Sequence, residues 1–247
     1  MKKIKYNELY GGIVVILFWY FLHLFIKTNI IPAPYKTIKN FFEIFLSTLS
    51  IHLLVSLGRL LIAIGFSLLL GTSLGIILGL NKNIDKFIKP IIYTIYPIPK
   101  VAFLPIFMVL FGLGNLSKII LIIFIIIFQI IVTVRGAVVS LSKELFYSVR
   151  SLGMNKFEIL KHLVIPAILP DLFTSLKISV GTSTAVLFFA ENYATSYGIG
   201  YFIMNSWVKV SYIDMFSGIL ALSLMGLSLF KFIDLLEKKF CSWIEKA

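Results

Sequence analysis

The chain has 247 residues, 59% of them hydrophobic, with a mean hydropathy of +0.99 and a net charge of +12. That much apolar surface exceeds what a soluble domain uses, and apolar blocks of ~20 residues in place of short alternating segments exclude a β-barrel. The positive charge does not point to nucleic acid, because Lys and Arg gather in the polar segments between apolar blocks, where membrane topology places them.

In chain order, apolar blocks fall at about 10–30, 51–80, 87–111, 116–138, 171–193 and 213–236. The expected fold is therefore all-α: a polytopic integral membrane bundle of about six transmembrane helices. The first block follows Lys2, Lys3 and Lys5 and is followed by no small-residue cleavage site, so it reads as an anchor. Residues 31–50 are too polar to span. There Ile38, Phe41, Phe42 and Phe45 recur at helical spacing opposite Lys36, Lys39 and Glu43, as in a helix lying in the interface. The expected division is 1–50 as anchor plus interfacial helix, 51–240 as the core and 241–247 as a tail.

Charge sets the orientation. The N-terminal lysines share a side with Lys82, Lys86, Lys89, Lys143, Arg150, Lys156, Lys161, Lys238, Lys239 and Lys246; Lys36, Lys39, Lys118 and Lys209 fall on the other. The richer side is cytoplasmic, which puts both termini and the segment 139–170 inside a multi-pass protein of the cell membrane.

The second block carries Ala63, Ser67, Gly71, Gly75 and Gly79 at four-residue intervals, the spacing that lets another helix approach closely. Counting ~20 residues from the inner ends of the second and fifth blocks places Arg59 and Glu191 at similar depth. A charge there calls for a partner, so the two are expected to pair. The third block holds Pro90, Pro97, Pro99 and Pro105 with Lys100. Prolines break helices, and broken helices in membranes line cavities or pack on protein. Pro97, Pro99 and Lys100 are expected to wall a translocation path, Lys100 meeting an acid or an anionic substrate. In the fifth block, Thr174, Ser175, Ser179, Thr182, Ser183 and Thr184 are expected mostly to bond their own helix, with Thr182 and Ser183 as candidates for the path.

Several chemistries have no residues to carry them. No G-x-x-x-x-G-K-[ST] phosphate loop occurs, the histidines His23, His52 and His162 are far apart, and no serine sits in a nucleophile elbow. With one cysteine, Cys241, there is no disulfide framework. The chain is not expected to be an enzyme, and neither a metal nor a cofactor is expected in it. Uphill transport would draw energy from an ion gradient or from a partner.

The segment ELFYSVRSLGMNKFEILKHLVIPAILP (144–170) is the polar exception. Ser142 can cap a helix with Glu144 in its first turn and Leu145, Val149 and Leu152 on its apolar face. Gly153 ends it. Asn155 and Glu158 have capping-box spacing for a second helix with Phe157, Leu160 and Val164 as its apolar face, and Pro166 is expected to stop it. Connections are usually ~4–6 residues, so a long patterned one reads as a docking element for a cytoplasmic partner.

This segment resembles the EAA loop of ABC importer permeases, whose motif runs E-A-A, then G, then I-x-L-P. Gly153 matches the glycine and Leu163, Val164, Ile165 and Pro166 match the end, while Tyr147-Ser148-Val149 stands in place of the triplet. YPIPKVAFLPIFMVLFGLGNLSK (96–118), IIPAPYKT, AEN (190–192) and YGIGYFI (197–203) resemble segments of the nitrate/sulfonate/taurine subfamily. The resemblance implies a type I importer permease that forms a homodimer with the substrate path between its copies. It implies two ATPase subunits docked on the loop, holding ATP and Mg²⁺, and an extracytoplasmic substrate-binding protein. Glu144, Tyr147, Ser148, Val149, Arg150, Leu152, Gly153 and Pro166 would then carry ATPase coupling, with Glu144 or Arg150 replacing the missing glutamate. The alternative is an ion-coupled secondary transporter, which would more often show an inverted repeat; none is evident.

Overall fold

The computed structural model describes residues 2–26, 28 and 30–243, with side chains from Tyr10 onward. The tail expected at 241–247 thus lies mostly outside the described residues. Every regular element described is helical. The helices are α1 (Lys2–Ile26), α2 (Pro34–Ile44), α3 (Ser50–Leu80), α4 (Lys82–Ile95), α5 (Leu104–Phe111) and α6 (Asn115–Ser140). They are followed by α7 (Lys143–Ser151), α8 (Lys156–Ile159), α9 (Ile165–Glu191), α10 (Ile199–Val208) and α11 (Tyr212–Phe240).

Among the described residues, four helical runs are long and apolar enough to cross a membrane: Pro34–Leu80, Asn115–Ser140, Lys156–Glu191 and Tyr212–Phe240. The pair α4 and α5 is apolar enough to make a fifth if it is counted as one broken span; it bends by 85°. The remaining apolar block is the shorter helix Tyr10–Ile26.

The chain forms two compact units, one made of residues up to 56 with 191–224, the other of 57–190 with 225 onward. In the first unit α2 opens with Pro34 in its first turn, where a missing N–H costs nothing. It buries Pro34, Thr37 and Phe41, about one residue per turn. Asn40 donates to Asp214 Oδ1 (2.8 Å) and Ser217 Oγ (3.0 Å) of α11, and Trp19 stacks on Phe216 at 5.5 Å. Of the apolar face expected for an interfacial helix, Phe41 is buried while Ile38 and Phe42 are exposed. No separate helix ends near residue 50. With no Gly or Pro between Pro34 and Gly58 to stop it, α2 passes through a π-helical turn, Phe45–Leu49, into α3.

In the second unit the glycine ladder of α3 lies against α6. A Cβ on Gly71, Gly75 or Gly79 would fall 2.9, 2.7 or 2.5 Å from Ile130, Val134 or Val138, so only glycine permits this approach. Ile130, Val134 and Val138 continue into a core with Val164, Ile168 and Leu172. A second cluster joins Phe173, Leu176 and Val180 of α9 to Ile233 of α11 and Cys241. Charges set among these helices are paired: Arg135 with Asp85 (Nη2–Oδ2 2.6 Å), and Lys177 with Asp234 (3.1 Å) and Glu237 (2.5 Å).

Candidate transport and docking sites

The polar segment folds as a helical reversal. Ser142 stands at the N-cap of α7, but its side chain caps no backbone N–H. Its hydroxyl goes instead to Glu144. That carboxyl, bonded by its own backbone N–H and by Ser142, is held below the usual glutamate range. At the other end Gly153 has φ +81°, its N–H donates to Arg150 O (2.9 Å) and Met154 N–H donates to Val149 O (3.3 Å), a Schellman closure. A Cβ at Gly153 would meet nothing within 4 Å, so the requirement for glycine is conformational. Asn155 and Glu158 form the expected capping box, Asn155 Oδ1 accepting from Phe157 N (2.9 Å) and Glu158 N (3.0 Å) and Glu158 Oε2 from Asn155 N (2.7 Å).

One expectation for this segment is corrected. Pro166 does not stop the second helix; Lys156–Glu191 is one helical run containing both Pro166 and Pro170. A proline ring clashes with the carbonyl one turn back, and here that turn, Leu160–Val164, is widened into a π-helix in which Ile165 N–H bonds Leu160 O. The apolar residues divide between core and surface. Phe146, Ile159, Leu160 and Val164 turn toward the core, while Leu152 and Phe157 are 75% and 70% exposed. Leu145 and Tyr147 are exposed with them. Ser148 and Arg150 are exposed and Val149 is half-buried; Ser148 Oγ donates to Glu144 O (2.9 Å). Leu152, Gly153, Met154, Glu158 and His162 line an open cleft of about 270 Å³. Exposed apolar side chains at Leu152 and Phe157 thus stand on the same segment as an open cleft.

The second candidate is the break between α4 and α5. Pro97 and Pro99 are exposed in the non-helical link, and a 3₁₀ turn, Lys100–Phe103, leads into α5. Lys100 is only 8% exposed. Its Nζ donates to Tyr96 O (2.7 Å) and lies over the rings of Tyr96 (5.2 Å) and Phe128 (5.3 Å). Nearby, Lys118 is fully buried and donates to the carbonyls of Leu113 (3.1 Å) and Gly114 (3.2 Å), closing the link into α6.

The third candidate surrounds Glu191, which has no exposed surface. Its carboxylate accepts from Ser56 Oγ (2.8 and 2.9 Å) and from Gly200 N (2.8 Å). Ser56 Oγ in turn accepts from Ile199 N (2.8 Å), and His52 Nδ1 accepts from Gly198 N (3.1 Å). Three successive N–H groups at the start of α10 are thus taken by side chains, because Gly198, its N-cap, has none to offer. The negative carboxylate suits the positive end of α10. Gly198 holds φ +142°, and a Cβ on it would fall 2.6 Å from both Glu191 oxygens. His52 also contacts the rings of Tyr197, Tyr201 and Phe202.

Arg59 is buried and donates through Nε (2.9 Å) and Nη2 (2.6 Å) to Asn115 Oδ1. Thr182 and Ser183 donate to Ile178 O and Val180 O of their own helix. His52, Ser56, Asn115 and Lys118 were not singled out by sequence reasoning. A histidine and a serine one turn apart in an apolar span were the available signal.

Residues 71–241 match the family model described as binding-protein-dependent transport system inner membrane component. The chain belongs to this family. It is a multi-pass membrane permease of binding-protein-dependent ABC importers. It is 28% identical over 197 residues to the taurine transport system permease protein TauC of Escherichia coli (strain K12), covering 80% of this chain and 72% of that one. It is 26% identical over 220 residues to the formylaminopyrimidine transport permease protein ThiX of Halalkalibacterium halodurans, covering 88% and 87%. A chain of the inward-facing MetNI methionine ABC transporter superposes with a TM-score of 0.67 at 17% identity, over 78% of this chain and 95% of that one, which shows a shared fold.

Proposed function

We propose that this permease pairs with a second copy of itself, forms the substrate path between the two, and is driven by two cytoplasmic ATPase subunits docked on residues 143–164. ATP and Mg²⁺ are held by those ATPases. An extracytoplasmic binding protein delivers the cargo, a small anion or polar organic solute of the nitrate, sulfonate or taurine kind. Both termini face the cytoplasm, as the distribution of lysine and arginine requires. Glu144, Tyr147, Ser148, Val149, Arg150, Leu152, Gly153 and Pro166 belong to the coupling element, with Glu144 and Arg150 supplying the charge that the absent glutamate triplet would have carried.

The observation that carries this reading is the open cleft lined by Leu152, Gly153, Met154, Glu158 and His162, on a segment that also exposes Phe157. A rigid reversal, fixed by a Schellman closure at one end and a capping box at the other, transmits force better than a loose loop. Gly153→Ala adds only backbone strain, whereas Gly153→Arg also fills the docking cleft. With Gly153→Arg, ATPase co-purification or coupled uptake is expected to fall at least tenfold while Gly153→Ala retains both; equal behaviour of the two variants would remove the docking role.

Arg59 and Glu191, with Pro97, Pro99, Lys100, Thr182 and Ser183, are assigned to the path or its gate. A buried guanidinium calls for a carboxylate, and we assign Glu191 to Arg59. Exchanging the two charges should restore uptake lost in Arg59→Gln or Glu191→Gln, and no recovery would separate their roles.

A further inference from the structure

Asn81 separates α3 from α4, and its side chain starts α4 by accepting from Asn83 N (3.1 Å) and Ile84 N (3.2 Å). At ~3.6 residues per turn, Lys82, Lys86 and Lys89 fall within about 60° of one another around the helix, and all three are exposed. Lys89 Nζ lies 5.7 Å over the ring of Tyr93, on the same face. Ile84, Phe87, Ile88 and Ile91 fall on the opposite face and are exposed as well, Phe87 by 74%. A strip between the two faces ties α4 to its neighbours: Asp85 pairs with Arg135 (Nη2–Oδ2 2.6 Å), and Ile92 packs with Leu78 and Ile131. Asp85 is the one acid in α4. Its charge is met by Arg135, so the lysine stripe has no acid of its own helix to neutralise it.

Membrane topology asks only that lysines be numerous near an inner turn. It does not ask that they share one helix face, nor that exposed isoleucine and phenylalanine fill the face opposite. One environment serves both faces at once: the boundary between headgroups and acyl chains, with phosphate on one side of the helix and hydrocarbon on the other. The bend of 85° at the end of α4 also turns it away from the direction of α5, as a helix at that boundary requires. We propose that α4 is a docking surface for acidic phospholipid. The stripe of Lys82, Lys86 and Lys89 binds headgroup phosphates of the cytoplasmic leaflet, and Phe87 with its apolar neighbours enters the acyl region. The headgroup is acidic because three positive charges meet no negative one on the helix, and each lysine near such a surface favours net negative lipid. This goes beyond the importer reading and uses from it only the orientation that places the turn at Asn81 inside.

The test uses the full-length permease in vesicles of equal parts phosphatidylcholine and phosphatidylglycerol. A nitroxide is placed on Phe87→Cys in a Cys241→Ser background, with the three lysines intact. The expected signal is relaxed by oxygen, which concentrates in hydrocarbon, and not by a water-soluble nickel chelate. Relaxation by nickel alone would overturn the proposal by putting Phe87 in water. Dipolar broadening from a second label at the same position would overturn it by making the face a contact between copies. The headgroup claim is read in detergent, as the rise in melting temperature on adding phosphatidylglycerol over phosphatidylcholine. The phosphatidylglycerol concentration at half of that rise should increase at least tenfold when Lys82, Lys86 and Lys89 are all changed to Gln. It should stay near the wild-type value when all three are changed to Arg. An unchanged midpoint in the glutamine variant would overturn the lysine stripe, and so would an equal rise from soluble glycerol 3-phosphate, which carries the phosphate without the acyl chains. If the glutamine variant does not fold, the nitroxide measurement still decides. Neither readout involves an ATPase or a cargo, so failure of the importer reading would leave both results standing, and their failure would leave ATP-driven uptake untouched.

Discussion

Glu191 and Lys100 are both buried charges in a membrane protein, and they are treated in opposite ways. The carboxylate of Glu191 sits at the start of α10 with Ser56 and the Gly200 N–H donating to it, and its neighbours Ile199 and Gly198 are bonded by Ser56 and His52. Lys100 has a carbonyl and two rings. The first charge, besides any role at the gate, helps fix where a ten-residue helix begins. The second keeps unused donors at a break in a span. A charge met by several hydrogen bonds fixes local structure, and one met by a single carbonyl and two rings fixes less of it.

The comparison can be broken from its structural side first. Gly198→Val should be the most damaging single change. It forces a side chain into a backbone region open to glycine and into the Glu191 oxygens, at a cost on the order of 3 kcal/mol or more. Loss of folded permease, measured by melting in detergent, is the expected outcome. Glu191→Ala should follow, removing a charged acceptor from two buried donors at about 2–3 kcal/mol; the same melting measurement checks it. Gly75→Ala, which drives a methyl group toward Val134, should cost about 1–3 kcal/mol and tests whether the α3–α6 approach is as tight as the Glu191 cradle. Lys100→Met should have the smallest effect on stability, within about 1 kcal/mol of wild type, because an apolar side chain replaces a buried charge that has no carboxylate to lose. A melting loss for Lys100→Met as large as that for Glu191→Ala would erase the distinction between the two regions.

The membrane bundle was legible because spans are apolar over ~20 residues and loops carry the lysines. The break at Pro97–Pro99 and the Asn155–Glu158 box were legible because proline and capping residues act locally. What escaped depends on tertiary packing. Nothing local marks α10 as a half-length helix, since its cap is supplied from His52 and Ser56, more than a hundred residues away in sequence. Pro166 reads as a stop until the π-helical turn before it is seen. Which apolar residues of α7 and α8 turn inward (Phe146, Leu160, Val164) and which stay outside (Leu152, Phe157) was not legible, because helical spacing gives a period while the core decides which face turns inward. Lys118 reads as a loop charge by position, but it is buried against the carbonyls of the preceding turn.

The central claim, that ATP hydrolysed on a docked partner drives this permease, is tested most directly by reconstituting the wild-type chain and Gly153→Arg with the ATPase and binding protein and following uptake of the cargo with and without ATP. The account predicts uptake that requires ATP and the ATPase and disappears in Gly153→Arg, with no response to an imposed proton or sodium gradient. Uptake driven by such a gradient in the absence of the ATPase would contradict it.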